Sequence, residues 1–397
     1  VFAFIQPGEG GPTVPLNART LELTNAAALG TTALINRANV IINTGAAFYV
    51  NNGTATTATT GAGSPLTLDG GTLSSGGATH FYTGTVAINS DSTINMADSN
   101  GPATNTARNI TLPGVVSGTG GITLNSNNTV GSGNQINGIL TLSNNANTWS
   151  GALNILRGTV LATQPNALTT GPITMETGKI EWQGPSFATY TVPNNITIAA
   201  PAANAVGEFN VNAIGTVTGP FTANYNGTLT LGGAGGTGEL RVFLADAANS
   251  VANFNGPDTA NLAVTTVTGV ISEVGLGRSL TVNGPAGGGA AWGGTAGVLR
   301  LEGANTFTGD LQLNAGSREF TTVNDVGGGP SNLGQGTTIR LQGGTLRFVG
   351  GVDESTDRPI TMTGGATLAA NGAGGASITY MGAISAAGNT LTLTGLP

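Results

Sequence analysis

The chain has no cysteine, one histidine and one lysine, and only 8% of its 397 residues are charged. The absence of cysteine excludes disulfides, thiol catalysis and cysteine-based metal sites, and a single histidine leaves no ordinary zinc site. Only 12 basic residues accompany a formal net charge of −7, which argues against binding to nucleic acid or to anionic lipid. No apolar run is long enough to predict a transmembrane helix.

Glycine is abundant, at 66 residues, and threonine, asparagine, alanine and valine make up much of the remainder. An apolar content of 39% argues against disorder, and the shortage of strong helix formers predicts an all-β protein with many tight turns. Asn-Gly pairs are typical of sharp corners, because asparagine and glycine both accept the positive φ that such corners need. Such pairs begin at Asn52, Asn100, Asn137, Asn226, Asn255, Asn283 and Asn371.

Many segments alternate an apolar, a polar and an apolar residue, which is the period of a strand with one buried face. Arg300, for example, lies between Leu299 and Leu301. We therefore expect the apolar members of these triplets to point into the core. They are Leu140, Leu142, Leu153, Ile155, Leu299, Leu301, Leu311, Leu313, Ile339 and Leu341.

The chain also repeats itself over long distances. Residues 138–151 (GILTLSNNANTWSG) resemble residues 297–309 (GVLRLEGANTFTG), and the segments that follow them are similar as well. We interpret residues 1–15 as an N-terminal strand and tether and residues 16–137 as a divergent first unit. Residues 138–296 then form a second unit, and residues 297–397 form an incomplete third unit.

Short strands with dense turns suit either a sandwich or a stacked solenoid. Weak similarity at changing offsets favours the solenoid, because insertions enter freely between its rungs. The predicted fold is an elongated, right-handed parallel β-helix, with the handedness taken from the general preference of crossover connections. A rung of about 20 residues is expected.

Phosphate-binding and triad chemistry find little support. The lone lysine, Lys179, is followed by Ile180, so no Walker A motif exists. Residues 233–238 match GxGxxG, but strands flank them on both sides and no helix follows to hold a pyrophosphate. A Ser-His-Asp triad would have to use His80, which we interpret instead as a solvent-facing or loop histidine.

Acidic residues cluster once, at Asp353, Glu354 and Asp357, with Arg358 beside them. Carboxylate pairs perform glycoside hydrolysis, yet the position of this cluster between two strands predicts a solvated loop. A weak calcium or sugar contact is the alternative. No calcium-binding loop motif is present, so we assign no catalytic, cofactor or metal residues.

Four aromatic residues and three arginines could each serve either the fold or the binding of a ligand. Trp149 and Phe307 share one repeat position, and Trp182 and Phe348 share another; we expect core packing, with a carbohydrate-stacking platform as the alternative. Three arginines of the last unit occupy outward strand positions. A solvated face is expected for them, with a patch for an acidic ligand as the alternative; they are Arg300, Arg340 and Arg347.

The turns NANTWSG at 145–151 and GANTFTG at 303–309, with their flanking LTL and GGTL strands, resemble the autotransporter-associated β-strand repeat. The resemblance is good over roughly 138–190 and 297–397 and looser elsewhere. It implies a β-helical passenger domain of a bacterial surface or secreted protein. It implies little about activity, since such passengers include adhesins, stalks and occasional hydrolases.

The combined expectation is a non-enzymatic, extracellular rod at a bacterial cell surface, acting as a stalk, adhesin or fibre subunit without a cofactor. The alternatives are a polysaccharide-active enzyme or a trimeric receptor-binding spike on the same fold. Glycans or cell-surface ligands are the external partners to consider. We also expect end-to-end self-association, in which the apolar residues 1–5 add as a strand to a neighbouring molecule.

Overall fold

The computed structural model describes residues 14–16, 20–23, 40–51, 57–60, 65–76, 79–96, 109–126, 138–184, 189–199, 206–213, 221–232, 239–244, 263–275, 277–283 and 298–395. Strands dominate these residues, and their one helical element is the 3₁₀ helix Ala373–Gly375. The all-β prediction is therefore confirmed for the described part of the chain. Two compact units are present, Val1–Ile180 and Glu181–Pro397.

The first unit is built from short strands that pair in parallel. They are β1 (Val14–Leu16), β2 (Thr20–Leu23), β3 (Val40–Asn43), β4 (Ala47–Asn51), β5 (Thr57–Thr60), β6 (Leu66–Asp69), β7 (Thr72–Gly76), β8 (Thr79–Tyr82), β9 (Val86–Ser90), β10 (Ser92–Asn95), β11 (Asn109–Leu112), β12 (Val116–Gly118), β13 (Ile122–Asn125), β14 (Ile139–Leu142) and β15 (Leu153–Ala162). The next strand, β16 (Ile173–Gly184), begins in this unit and ends in the second.

Three parallel ladders run through the first unit, and the chain visits them in turn. The first ladder is β1-β3-β6-β9-β12. The second is β2-β4-β7-β10-β13-β15, and the third is β5-β8-β11-β14-β15. Each strand thus pairs with the next strand of its own ladder. We call the stretch of chain between two such paired strands a circuit.

The second unit repeats this arrangement with its own strands. They are β17 (Thr189–Val192), β18 (Ile196–Ile198), β19 (Val206–Ala213), β20 (Phe221–Tyr225), β21 (Leu229–Leu231), β22 (Glu239–Leu244), β23 (Ala263–Val267), β24 (Ile271–Glu273), β25 (Leu280–Asn283), β26 (Val298–Leu301), β27 (Leu311–Leu313), β28 (Ser317–Phe320), β29 (Ile339–Leu341), β30 (Thr345–Phe348), β31 (Glu354–Thr356), β32 (Ile360–Met362), β33 (Ala366–Ala370), β34 (Ile378–Tyr380), β35 (Ile384–Ser385) and β36 (Leu391–Gly395).

The longest ladder of the second unit has eight strands, in the order β17-β20-β23-β26-β28-β30-β33-β36. A second ladder joins β19-β22-β25-β27-β29-β32-β35, while β18-β21-β24 and β31-β34 form shorter ones. All of these pairings are parallel, so each circuit of the chain stacks on the previous one.

The circuits differ in length. Paired residues are 19 positions apart between Val298 and Ser317 but 42 apart between Phe221 and Ala263. A uniform rung of about 20 residues is therefore wrong for most of the described chain. The reason is that each circuit must also turn its corners, and the corner segments vary freely in length.

The predicted boundaries after residues 137 and 296 stay predictions, since the residues on either side of those points are partly outside the described ranges.

The predicted core is confirmed. All ten apolar triplet residues, from Leu140 to Leu341, are at most 1% exposed. Arg300 keeps 38% of its side chain exposed between Leu299 and Leu301, so the assigned register is the observed one. Alternation with period two thus separates a buried face from an outer face in both units.

The repeat-position aromatics belong to the core, as expected. Trp149, Trp182, Phe307 and Phe348 are each no more than 1% exposed. The Trp149 indole N–H donates to the Gly120 carbonyl oxygen at 2.8 Å, which satisfies its polar atom inside the first unit. Because these faces are covered, none of the four rings is available as a platform for a sugar.

In the second unit, Trp182 packs against Tyr190 with ring centroids 4.9 Å apart, and its indole N–H donates to the Tyr225 hydroxyl at 2.9 Å. Phe320 and Phe348, on adjacent strands, have centroids 5.6 Å apart. Aromatic residues of successive circuits therefore stack in the interior.

The prediction for Asn-Gly corners is wrong where the structure describes them. Gly138, Gly227 and Gly372 do not have a positive φ. They are required for space instead: a Cβ on Gly227 would lie 2.0 Å from the Asn194 carbonyl oxygen, and one on Gly372 would lie 2.0 Å from the Ala376 oxygen. Lack of room for a Cβ, rather than backbone conformation, explains these glycines: the obstacle is backbone of another circuit at Gly227, backbone of the same turn at Gly372, and side chains at Gly138.

Candidate functional site

The outer face of the eight-stranded ladder carries a row of mostly polar residues in the described second unit. Strand register places one residue from every strand in this outer row. From β17 to β36 its members are Thr191, Asn224, Thr266, Arg300, Glu319, Arg347, Ala369 and Thr394. Neighbouring strands of a sheet are about 4.8 Å apart, so consecutive side chains of the row lie within reach of one another.

Charge is concentrated at the middle of the outer row. Arg300 Nη2 lies 2.7 Å from Glu319 Oε2, and Arg347 Nη1 lies 3.2 Å from Glu319 Oε1. The Glu319 side chain is only 3% exposed, against 38% for Arg300 and 21% for Arg347. The two arginines thus enclose one carboxylate, and the triplet keeps a net positive charge at the surface.

This arrangement refines the expectation of a solvated arginine face. Arg340, on β29, pairs with Asp310 at 2.6 Å and keeps half of its side chain exposed. All three arginines of the predicted patch therefore point outward, yet each one has a carboxylate partner. The partners are 19 to 30 residues away in sequence, so no local spacing signals them.

Replacing Glu319 with glutamine should destabilise the second unit by about 1–3 kcal/mol. The change removes the charge that both arginines share and leaves two like charges on either side of a buried amide. Urea unfolding followed by circular dichroism measures the effect. Asp310→Asn is the matched control: it breaks an exposed pair and should cost less than about 1 kcal/mol. Equal effects of the two variants would contradict the enclosed position of Glu319.

The acidic cluster binds backbone amides rather than facing an open groove. Glu354 Oε2 accepts from the Val323 N–H at 3.2 Å, and Asp357 Oδ1 accepts from the Val326 N–H at 2.7 Å. Asp353 Oδ1 accepts from the Ser377 N–H at 2.7 Å, and this bond, followed by one from the Ser377 hydroxyl, holds the Asp353 pKa below its ordinary value. These carboxylates therefore fasten one circuit to the next.

The cluster is also not simply the solvated loop that the sequence predicts. Glu354 begins strand β31, and Arg358 is only 1% exposed. The expectation is wrong for Arg358 because the chain turns inward there, which directs its side chain into the second unit. Over the described ranges, no group of three or more His, Asp or Glu residues has the arrangement of a metal site.

His80 lies on strand β8, in register with Ala58 on one side and Ile110 on the other. It is fully buried, so the interpretation as a solvent-facing or loop histidine is wrong. The physical reason is the strand alternation: His80 and Tyr82 take the inward positions of β8, and both are buried. The GxGxxG match at 233–238 lies outside the described residues.

One buried feature was missed by sequence reasoning. Arg318 occupies an inward position of β28, where it is in register with Leu299 and Leu346 and fully buried. The signal was available, since Phe320 two residues later is also inward and period two places Arg318 on the same face. Arg318 and Arg358 are the two fully buried arginines among the described residues.

The comparisons with known proteins give one partial similarity. The chain is 30% identical over 192 residues to the adhesin BmaC autotransporter of Brucella suis biovar 1 (strain 1330). The match covers 43% of this chain but 6% of that protein, so the chain spans a small part of the relative's length. No protein-family model and no solved structure matches the chain. In the described part of the chain, no helix has the length and apolarity needed to cross a membrane.

Proposed function

We propose that the chain is part of an adhesive structural protein of a bacterial cell surface, built as a right-handed parallel β-helix. The observation that supports the fold is the parallel pairing of strands that are usually two or three apart in chain order, which stacks one circuit on the next. The similarity to an autotransporter adhesin supports the surface location and the adhesive role. The exposed and half-buried members of the outer row are suited to hydrogen bonding with glycans or surface proteins; they are Thr191, Asn224, Arg300, Arg347 and Thr394.

We further propose that the role is non-enzymatic. The acidic cluster, which is the best sequence candidate for hydrolysis, has its carboxylates committed to backbone N–H groups of neighbouring circuits. A general acid would need a raised pKa, whereas that of Asp353 is lowered. Incubation with a panel of bacterial and host polysaccharides, followed by a reducing-end assay, tests this proposal. Release of new reducing ends would overturn it and favour the polysaccharide-active alternative.

Adhesion is tested by displaying residues 1–397 on a non-adherent bacterium and counting the cells retained on immobilised glycans and on host-cell layers. We expect retention several-fold above that of the empty display scaffold. The same strain displaying Arg300→Ser/Arg347→Ser tests whether the outer row contributes, since both guanidinium groups are partly exposed. Surface display without any added retention would overturn the adhesive role.

Self-association remains a prediction, because residues 1–5 lie outside the described ranges. Light scattering of the purified chain distinguishes three outcomes. Concentration-dependent growth supports strand addition, a stable trimer supports the spike alternative, and a monomer contradicts both.

A further inference from the structure

The inward face of the eight-stranded ladder contains a charged side chain whose donors are mostly unmatched. Arg318 is fully buried, and its Nη2 donates to the Asn332 carbonyl oxygen at 3.2 Å. Its Nε and Nη1 are buried without a hydrogen-bond partner. A buried guanidinium with two unmatched donors is costly, because the desolvation of each group is not recovered.

A second arginine reaches the same short segment from a later circuit. Arg358 Nη1 donates to the Leu333 carbonyl oxygen at 3.2 Å, and Nη2 donates to the Gly334 oxygen at 2.6 Å. Its Nε is also buried without a partner. The two guanidinium groups therefore bind three consecutive carbonyl groups, those of residues 332–334, and three of their nitrogen atoms remain without a hydrogen-bond partner.

The burial of two positive charges, those of Arg318 and Arg358, is electrostatically unfavourable. Burial, and then the positive charge of Arg358, lower the Arg318 pKa to about 9. Burial also lowers the Arg358 pKa, against a smaller opposing effect of Asp357 and Asp325. Neither arginine forms an ion pair with a described carboxylate: the pairs found there are those of Arg300, Arg340 and Arg347. The two like charges therefore repel each other, while the attraction of Asp357 and Asp325 acts on Arg358.

We propose that a small monovalent anion of the halide class binds between Arg318 and Arg358 inside the second unit. Such an ion accepts from one unmatched donor nitrogen of Arg318 and from the unmatched Nε of Arg358, and it offsets the repulsion of the two charges. A carboxylate ligand from outside is disfavoured, because both arginines are at most 1% exposed and a large group has no way in. The anion is therefore expected to enter as the unit folds and to remain as a structural ion.

The site would fix the segment between β28 and β29 to the core. Asn332 already holds this segment through its side chain, whose Oδ1 accepts from the N–H groups of Thr321 and Thr322 at 2.8 and 3.0 Å. Its backbone carbonyl accepts from Arg318 and also from Asn305 Nδ2 at 2.8 Å. An anion beside this network would bind the two arginines to each other and, through their carbonyl contacts, to the segment.

Crystals of the full chain, refolded and crystallised in sodium bromide, test the site directly, since bromide takes the place of chloride during folding and scatters anomalously. We expect an anomalous peak within about 3.5 Å of a donor nitrogen of Arg318 and of Arg358. A map with no peak between the two guanidinium groups would overturn the proposal. This measurement uses the unaltered protein, so it does not depend on any variant being able to fold.

Thermal unfolding provides the second test. At constant ionic strength, sodium chloride should raise the Tm by about 2–4 °C relative to sodium gluconate, because an ion that binds only the folded state stabilises it. Arg318→Met should lose this difference. Arg340→Met, which removes an exposed and already paired arginine, should keep it. The same chloride effect in wild type and in Arg318→Met would count against the site.

Discussion

Replacing Leu301 with alanine is expected to destabilise the second unit by about 2–5 kcal/mol. Leu301 is fully buried, and strand register places it between Val267 and Phe320 on the inward face of the eight-stranded ladder. The truncation leaves a cavity between two circuits whose backbones are hydrogen-bonded to each other, so the walls cannot collapse into it. Urea unfolding monitored by tryptophan fluorescence measures the loss, because Trp182 lies in the same unit.

The control for Leu301 is Leu393, a leucine on β36 of the same ladder that is 73% exposed. Leu393→Ala makes the same chemical change without creating a cavity. Its effect should be within about 0.5 kcal/mol of zero. Comparable losses for both variants would show that the cost of Leu301→Ala does not come from its burial.

Replacing Gly269 with alanine is expected to disturb the stacking of circuits, at a cost of about 1–3 kcal/mol or more. Gly227, Gly269 and Gly303 follow one another at the same corner. A Cβ on Gly269 would lie 1.9 Å from the Gly227 carbonyl oxygen, and one on Gly303 would lie 2.3 Å from the Gly269 oxygen. Since the obstacle is backbone, no side-chain rotation relieves the clash, and the circuits must move apart.

Gly351 provides the comparison for Gly269. It is exposed, and the nearest atom to an added Cβ is the Ala373 methyl group at 4.0 Å. Gly351→Ala should leave the thermal midpoint nearly unchanged, or raise it slightly by restricting the unfolded chain. Calorimetry of the two variants side by side tests the argument. A tolerated Gly269→Ala would mean that the corner is looser than the described backbone.

The interior faces of the strands could be predicted from the sequence because alternation is a local property. A polar residue between two apolar ones, as with Arg300 between Leu299 and Leu301, identifies the buried side without knowledge of the partner strand. The core role of Trp149 and Phe307 was predictable for a related reason. Equivalent positions in a repeat meet the same environment in successive circuits.

Charged and corner residues were harder to predict, because their partners come from other circuits. Glu319 is enclosed by Arg300, 19 residues before it, and by Arg347, 28 residues after it. Paired residues of the described ladders are between 19 and 42 positions apart in the chain. No single period in the sequence therefore reveals which residues become neighbours. Only the stacked backbone determines which charges become neighbours.

The sequence by itself determined the all-β class, the inward residues and the shortage of catalytic groups. Those properties follow from composition and from a two-residue period, both of which are local. The tertiary structure decided the rest: which glycines have no room for a Cβ, that His80 and Arg358 are buried, and that Arg318 faces the core beside a second arginine. The physical reason is that burial and close approach depend on atoms one circuit away, at a distance along the chain that the insertions make irregular.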